Sequence, residues 1–336
     1  MGILYEGPRS AALALDASGA PNVAYVAGTN IVVKRRTATG WVQTSAVALA
    51  PDGLTAVTGL AIDAQGNAHV IYLSFHTIGN LDSTYAYRYV KIAPGGAMSL
   101  QYTLGDTFWW NGGTMAGDEG VGLALDSAGD VHLAFNTSTS NVRRLKYVRT
   151  WQGAWLAELD VATVSVPYPA IAVDSGGVVH IAGVSGTTFL YVKGVNSIFS
   201  APVTVNSLAA TSLKDTQLRV SATGVELWAN ANRNFWATSV AGAVLATPVV
   251  WGAQPGTAYV AGAPWAMGFS MLEQSSSGVS PTARSGPASG PTLTEVTNLP
   301  FGALNRGAVV DANGSFHGLA QRYLSGPFEL TYVRGH

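Results

Sequence analysis

The chain has 336 residues, of which 48% are hydrophobic, 10% aromatic and only 11% charged. This apolar content excludes intrinsic disorder, because the chain has ample surface to bury against the entropy of ordering. The formal net charge is −1, from 18 Lys and Arg against 19 Asp and Glu, so no nucleic-acid partner is predicted.

The chain begins with a short apolar segment that does not have the pattern of a secretory signal. The opening MGILYEGPRSAALALD lacks a basic region followed by a long apolar run. We therefore expect either that export does not use such a leader or that a leader has been removed. Residues 2–6 are predicted to form a strand that pairs beside the strand around Tyr332, because the last repeat unit has no room for a fourth strand.

A repeated pattern follows along the whole chain. A short apolar run ends in Asp, and after two further residues a Gly precedes a second apolar run. The pattern recurs around Asp16, Asp63, Asp126, Asp174, Ser221 in the Asp place, and Asp311, at intervals of 47, 63, 48, 47 and 90 residues. Because the last interval is close to twice the others, a degenerate copy is predicted near residues 257–272.

Each unit predicts four strands. Asp followed by Gly at this spacing favours a type I turn with a bulge, which closes a hairpin. A third run carries Tyr and a basic residue, and a fourth opens with an aromatic residue such as Trp41, Trp155 or Phe199. Seven such units predict an all-β fold, a seven-bladed β-propeller of four-stranded antiparallel blades. It is expected to be one domain over residues 1–336, closed by the N-terminal strand.

The second unit is the longest, and its two expansions are predicted to be loops on the face opposite the Asp turns. They are residues 74–84 and 103–119, which together offer His76, Asp82, Asp106, Trp109, Trp110, Asp118 and Glu119. Long loops on rigid scaffolds are where binding and catalysis concentrate. On the same face, connections between units place Arg9, Tyr168, Asp215 and Arg306 near the channel mouth, and the last unit adds Arg322 and Tyr323.

Two later segments are also informative. Residues 234–272 contain no Asp, Glu, Lys or Arg, but Gly and Pro interrupt them, so buried strands are predicted there and no membrane span. Residues 275–291 are rich in Ser, Gly and Pro and are predicted to form a mobile loop.

The repeat, written LD-x-x-G-x-x-H-x-x-Y, resembles the repeats of bacterial sialidase-like (BNR-type) propellers. That superfamily includes glycosidases, polysaccharide lyases and non-catalytic lectins, so the resemblance implies a propeller with a carbohydrate-related function. No unit places Trp after the Gly as the sialidase Asp-box does, and no sialidase arginine set is found. Sialidase activity is therefore not implied.

Four histidines stand six residues after their turn Asp: His69, His132, His180 and His317. Because they occupy equivalent places in different units, they are predicted to bond to their own turns and to serve the structure. Cysteine is absent, which excludes disulfides and Cys-ligated zinc. No metal and no cofactor are predicted.

Three functions remain open. The leading one is a non-enzymatic, lectin-like carbohydrate-binding protein, secreted or displayed on a bacterial surface. Its predicted ligand-binding residues are His76, Asp106, Trp109, Trp110, Glu119, Tyr168, Arg306, Arg322 and Tyr323. The two tryptophans would stack on a sugar ring, unless they plug the channel or pack on the rim.

The alternatives are a carbohydrate-active enzyme and a protein-interaction scaffold. A lyase would use His76 or Tyr168 as base, with Arg306 or Arg322 neutralising a uronate. A glycosidase would use the carboxylates of Asp106 and Glu119. The oligomeric state does not follow from the sequence.

Overall fold

The computed structural model describes residues 11–48, 53–78, 82–110, 120–139, 142–206, 213–221, 224–231, 234–241, 244–245, 249–251, 257–265, 268–275, 282–286, 294–298, 303–311, 313, 315–322 and 329–335. All regular structure in these ranges is β-strand, arranged as seven antiparallel sheets that follow one another along the chain. No helix in the described ranges is long and apolar enough to cross a membrane. The predicted all-β class and the four-stranded antiparallel units are therefore confirmed.

The first two sheets have four strands each. Sheet 1 consists of β1 (Ala11–Leu15), β2 (Pro21–Ala27), β3 (Asn30–Thr37) and β4 (Gly40–Ala48). Sheet 2 consists of β5 (Gly53–Ile62), β6 (Ala68–Ile78), β7 (Asp82–Ile92) and β8 (Met98–Trp110).

In the next three sheets the outermost strand is divided into two short pieces. Sheet 3 contains β9 (Val121–Leu125), β10 (Val131–Thr139), β11 (Val142–Trp151), β12 (Ala154–Trp155) and β13 (Leu159–Ala162). Sheet 4 contains β14 (Ala170–Val173), β15 (Val179–Ser185), β16 (Thr188–Val195), β17 (Ile198–Phe199) and β18 (Val203–Asn206). Sheet 5 contains β19 (Leu213–Ser221), β20 (Gly224–Ala231), β21 (Asn234–Ala241), β22 (Val244–Leu245) and β23 (Val249–Trp251).

The last two sheets include the degenerate unit. Sheet 6 contains β24 (Thr257–Trp265), β25 (Gly268–Ser275), β26 (Thr282–Gly286) and β27 (Thr294–Asn298). Sheet 7 contains β28 (Ala303–Val310), β29 (Phe316–Arg322) and β30 (Glu329–Gly335) within the described residues. The strands predicted near residues 257–272 are present, whereas residues 1–10, with the predicted closing strand, lie outside the described part of the chain.

Three predicted loops are corrected by these bounds. Most of residues 74–84 belongs to β6 and β7, and residues 103–110 belong to β8. The predicted loop at 275–291 contains β26. In all three places the residues continue a ladder that a neighbouring strand already provides, and pairing with that strand outweighs the loop-like composition.

The Asp turns have the predicted geometry. In sheet 2 the amide of Gly66 donates to the carbonyl of Asp63 at 2.9 Å, and Gly66 has φ of 80°. The Asp63 Oδ1 atom also accepts from the amides of Gln65 and Asn67. Such a turn needs a left-handed residue, which glycine supplies without a steric cost.

Apolar side chains of successive sheets pack face to face. Ile31 of sheet 1 joins a buried cluster with Val70 of sheet 2, and Tyr89 of sheet 2 joins one with Leu133 of sheet 3. Further clusters join sheets 3 and 4 and sheets 4 and 5. Each fully buried residue of this kind contributes about 1.5–3 kcal/mol, so the core lies between the sheets.

The first strand of each sheet contacts the first strand of the next. The contacts join β1 to β5, β5 to β9, β9 to β14, β14 to β19, β19 to β24 and β24 to β28. The strand β28 also contacts β1. Leu13 of sheet 1 and Leu319 of sheet 7 share a buried cluster, and the rings of Trp41 and Tyr332 meet edge to face at 5.3 Å.

Candidate functional site

By an edge of a sheet we mean the side at which its strands end, and each sheet has two such sides. We call the edge with the Asp-x-x-Gly turns the turn edge. The other, which carries the hairpins between second and third strands and the crossovers between sheets, we call the crossover edge.

The four repeated histidines lie at the turn edge, buried, with both ring nitrogens bonded. In sheet 2 the His69 Nε2 atom lies 3.2 Å from Asp63 Oδ2, and Nδ1 lies 2.8 Å from the Tyr89 hydroxyl. The same pairs recur as His132 with Asp126 and Tyr147, His180 with Asp174 and Tyr191, and His317 with Asp311 and Tyr332. We call each of these an Asp–His–Tyr set.

The electrostatics of these sets favour a neutral imidazole. Burial lowers the pKa of the His69, His132 and His180 rings, although each ring faces a carboxylate. Burial also raises the pKa of the Tyr191 hydroxyl to about 12. Each tyrosine hydroxyl therefore stays protonated and donates a hydrogen bond to Nδ1, while Nε2–H donates one to the Asp oxygen.

The Asp63 carboxyl is held ionised at one end of its set. Burial raises its pKa, but hydrogen bonds from Asn67, Lys91 and His69 outweigh burial and hold the pKa well below its usual range. The Lys91 Nζ atom lies 2.9 Å from Asp63 Oδ2. The charge and the hydrogen-bonding capacity of the Asp63 carboxylate are thus satisfied within sheet 2.

The bonds within these sets agree with the predicted structural role of the histidines. Each lies in its own sheet, and no three His, Asp or Glu side chains in the described part of the chain are grouped so that they could hold a metal ion. The bond to the turn Asp is confirmed. The bond to the tyrosine was not predicted, because the register of the second and third strands depends on hairpins of different length.

Most of the predicted ligand-binding residues that the structure describes lie toward the crossover edge, whereas Arg306, predicted in a crossover, lies in the middle of β28. His76 lies near the end of β6, Arg306 in β28 and Arg322 at the end of β29. Asp106, Trp109 and Trp110 lie in the last part of β8, and Tyr168 precedes β14. Glu119 and Tyr323 lie outside the described residues, as do Arg9 and Asp118.

Sheet 2 brings two of these residues into one row. Thr84 pairs with His76 on β6 and with Trp109 on β8. Adjacent strands lie about 4.8 Å apart, so the backbones of His76 and Trp109 are separated by about 10 Å. Trp109 and Trp110 therefore belong to a paired outer strand, which corrects the predicted crossover loop.

Irregular pairing marks two further candidates. Asp106 lies where the register of β7 and β8 shifts, opposite the position between Tyr85 and Tyr87. Arg306 lies where the register of β28 and β29 shifts, between Leu304 and Ala308. Bulges of this kind re-aim the chain and are frequent beside functional sites.

Tyr168 is the candidate whose surroundings the structure describes best. It is half-buried in the crossover 163–169, between Pro167 and Pro169, and has φ of 52°. A residue before proline ordinarily takes an extended conformation, and a left-handed non-glycine residue costs on the order of 1–3 kcal/mol. Such an outlier is itself a reason to examine a position for function.

The crossover packs against glycines that leave no space for a side chain. A Cβ built on Gly120 would lie 2.6 Å from the Tyr168 ring, and one built on Gly183 would lie 2.0 Å from Val166. Gly120 directly precedes β9 and Tyr168 lies shortly before β14, so the start of sheet 3 meets the start of sheet 4 at Tyr168.

A side-chain amide fixes the same crossover. The buried Asn136 of β10 accepts from the amide of Val166 at 3.0 Å and donates to the carbonyl of Val166. Nearby, Arg143 donates to the Ser165 hydroxyl at 3.2 Å. Sequence analysis missed Asn136, but a polar amide within the apolar run VHLAFN was a usable signal, because Asn is depleted in strands.

No family model matches the chain, and no curated protein matches it. The resemblance to BNR-type repeats therefore rests on the repeat motif alone.

Solved structures share the fold at low sequence identity. The polysaccharide lyase Uly1 is 12% identical with a TM-score of 0.59, over 100% of this chain and 91% of that chain. A catalytically inactive virginiamycin B lyase from Staphylococcus aureus, solved with quinupristin, is 11% identical with a TM-score of 0.56, over 99% and 96%. The Aleuria aurantia lectin, solved with Fucα1-6GlcNAc, is 13% identical with a TM-score of 0.51, over 87% and 96%. These similarities are consistent with a β-propeller.

Proposed function

We propose that this chain is a single seven-bladed β-propeller of the sialidase-like type that binds carbohydrate without transforming it. Binding takes place at the crossover edge, at a site that includes Tyr168. The protein works outside the cell, secreted or on a bacterial surface, a location suggested by its low charge and its abundance of small residues.

The contacts between sheets support the propeller. Each first strand touches the next, and β28 touches β1, which is the order of strands around a central channel. The Trp41–Tyr332 contact and the Leu13–Leu319 cluster join the first sheet to the last. On this proposal residues 2–6 supply the fourth strand of sheet 7.

The observation that carries the binding site is the strained, half-buried Tyr168. Tyrosine offers a ring face to the C–H groups of a sugar and a hydroxyl to its oxygens. The structure keeps this residue in a costly conformation, with its ring against Gly120. Sugar binding is the function that accounts for the conformational cost at Tyr168.

The relatives in fold agree with this ligand class. They include a lectin solved with a fucosylated disaccharide and a polysaccharide lyase. A neutral surface charge also suits a ligand rich in hydroxyl groups, because such a ligand is recognised by stacking and hydrogen bonds and needs no strong field.

The test is a microarray of neutral, fucosylated and uronate-containing oligosaccharides, probed with the wild-type chain and two variants. Tyr168→Ala should weaken binding by roughly tenfold or more, as expected for an aromatic contact in a pocket. Trp151→Ala is the matched control, because Trp151 is 51% exposed and ends β11 at the turn edge. It should bind like the wild type.

Two results would contradict the proposal. One is a wild-type chain that binds no glycan on the array. The other is the release of unsaturated uronates from the uronate-containing glycans, read by their absorbance, which would identify the chain as a lyase.

A further inference from the structure

The crossover 163–169 is held by contacts that come from three separate strands. The side chain of Val166 is fully buried, and it lies where a Cβ on Gly183 of β15 would stand. A Cβ on Gly122 of β9 would lie 2.5 Å from the Pro169 carbonyl oxygen. The segment therefore lies in a groove lined by the backbone of Gly122 and Gly183.

Asn136 completes this groove with hydrogen bonds. Its side-chain amide pairs with both backbone groups of Val166, as a neighbouring strand would. Asn136 is only 6% exposed, so water does not compete for these bonds. Val166 lies two residues before Tyr168, and fixing its peptide fixes where the chain enters the Pro-Tyr-Pro sequence.

Asn136 is not part of the repeat. It stands four residues after His132; the corresponding place after His317 holds Gln321, and the places after His69 and His180 hold Leu73 and Val184. Both of these residues belong to apolar clusters. The Asp–His–Tyr set therefore forms with and without an amide at this position, and the contact that the Asn136 amide makes is with the crossover.

We infer that Asn136 is a positioning residue that keeps Tyr168 in the conformation that receives the sugar. This inference rests on the proposed carbohydrate binding. A contact residue that is already ordered loses little conformational entropy when the ligand arrives, which strengthens binding without an additional contact. Gly120, against the Tyr168 ring, limits its movement from the other side.

The test is a double-mutant cycle of Asn136→Ala and Tyr168→Ala, read on the same oligosaccharide microarray. Asn136→Ala should weaken binding by roughly tenfold, equivalent to about 1.4 kcal/mol. In the Tyr168→Ala background the same change should produce no further loss, because it acts through Tyr168. Thermal unfolding is measured in parallel, at a binding temperature where every variant is folded.

The matched control is Thr150→Val. Thr150 is 1% exposed in the same sheet and accepts from the amide of Val131 at 2.8 Å, at the turn edge. It should lower stability to a similar degree and leave binding unchanged. Asn136→Asp, which keeps the acceptor for the Val166 amide, serves as the second variant.

The outcomes separate the two proposals. If Asn136→Ala leaves binding unchanged, or weakens it equally with and without Tyr168, Asn136 is not a positioning residue but carbohydrate binding stands. Failure of both Asn136 variants to fold would assign the residue to stability alone and overturn the inference. If the wild-type chain binds no glycan, both proposals are overturned.

Discussion

At the scale of residues, the Asp–His–Tyr sets show how a repeated motif stabilises a sheet. The sequence predicted the bond from His to the turn Asp, because six residues separate them across one tight hairpin. It did not predict the tyrosine, since the pairing of second and third strands depends on hairpins of varying length. The set joins three strands of a sheet through one buried imidazole.

These sets predict acid sensitivity. Burial lowers the pKa of His69, His132 and His180 below the ordinary value of 6.5. The unfolded chain therefore binds more protons than the folded one just below that value, and the free energy of unfolding should fall as the pH decreases through about 6. Chemical denaturation between pH 7 and pH 5 measures the slope.

The variant His69→Asn checks the origin of that slope. Asn occupies the same position in sheet 1, where Asn22 Nδ2 lies 3.5 Å from Asp16 Oδ2. The change should cost about 1–3 kcal/mol at pH 7, because it leaves the buried Tyr89 hydroxyl unpaired, and it should make the slope shallower. Asn22→Ala is the control, which alters no titrating group, and a slope unaffected by His69→Asn would contradict the assignment.

At the scale of elements, the outer strands connect neighbouring sheets through aromatic rings. The Trp155 ring of β12 meets Tyr89 edge to face at 5.1 Å and Tyr102 at 4.5 Å, both in sheet 2. Phe199 of β17 meets Tyr147 of sheet 3 at 5.0 Å. The sequence showed that the fourth run opens with an aromatic residue. Its partner in the preceding sheet depends on the stacking of sheets, which no local pattern encodes.

Replacing Trp155 tests this connection. Trp155→Ala should lower the free energy of unfolding by about 3–5 kcal/mol, since it leaves a cavity between sheets 2 and 3. Trp151→Ala, four residues earlier and exposed, should change it by less than about 0.5 kcal/mol. Equal effects of the two substitutions in denaturant titrations would show that the aromatic contact does not join the sheets.

Sheet 2 shows the limit of reading loops from sequence. Residues 74–84 and 103–119 were predicted to be loops because the second repeat unit is the longest, yet most of 74–84 and all of 103–110 extend β6, β7 and β8. The hairpin between β6 and β7 is long because both strands continue to pair up to its turn. His76, Trp109 and Arg322 lie toward the edge that the alternation of strand direction predicts, whereas Arg306 lies in the middle of β28. The hydrogen bonds between Asn136 and Val166 join a strand of sheet 3 to the crossover before sheet 4, a contact that no local sequence pattern predicts.

At the scale of the whole molecule, the first and last sheets of the chain are in contact. Sheet 1 and sheet 7 are joined by side-chain packing around Leu13, Leu319, Trp41 and Tyr332. Three strands of sheet 7 are described, and we propose that residues 2–6 form the fourth.

Deleting residues 1–7 tests that proposal. The deletion should lower the free energy of unfolding by several kcal/mol, because a strand loses its ladder and its packing together. Removal of Met1 alone is the control and should have no effect. A truncated chain with an unchanged denaturant midpoint would contradict closure by this strand.

The Asp–His–Tyr sets are distributed unevenly among the sheets, and this predicts an order in which the sheets unfold. Sheets 2, 3 and 4 each contain one, whereas sheet 5 has Ser221 in the Asp place and Leu227 in the His place, with Leu227 paired to Thr238. In place of the Asp–His–Tyr set that sheets 2, 3 and 4 contain, sheet 5 has the hydrogen bond from Arg219 to Glu226 at its turn edge. When the protein is heated, the amides of sheet 5 should exchange with solvent before those of sheets 2, 3 and 4, in which the buried sets join three strands.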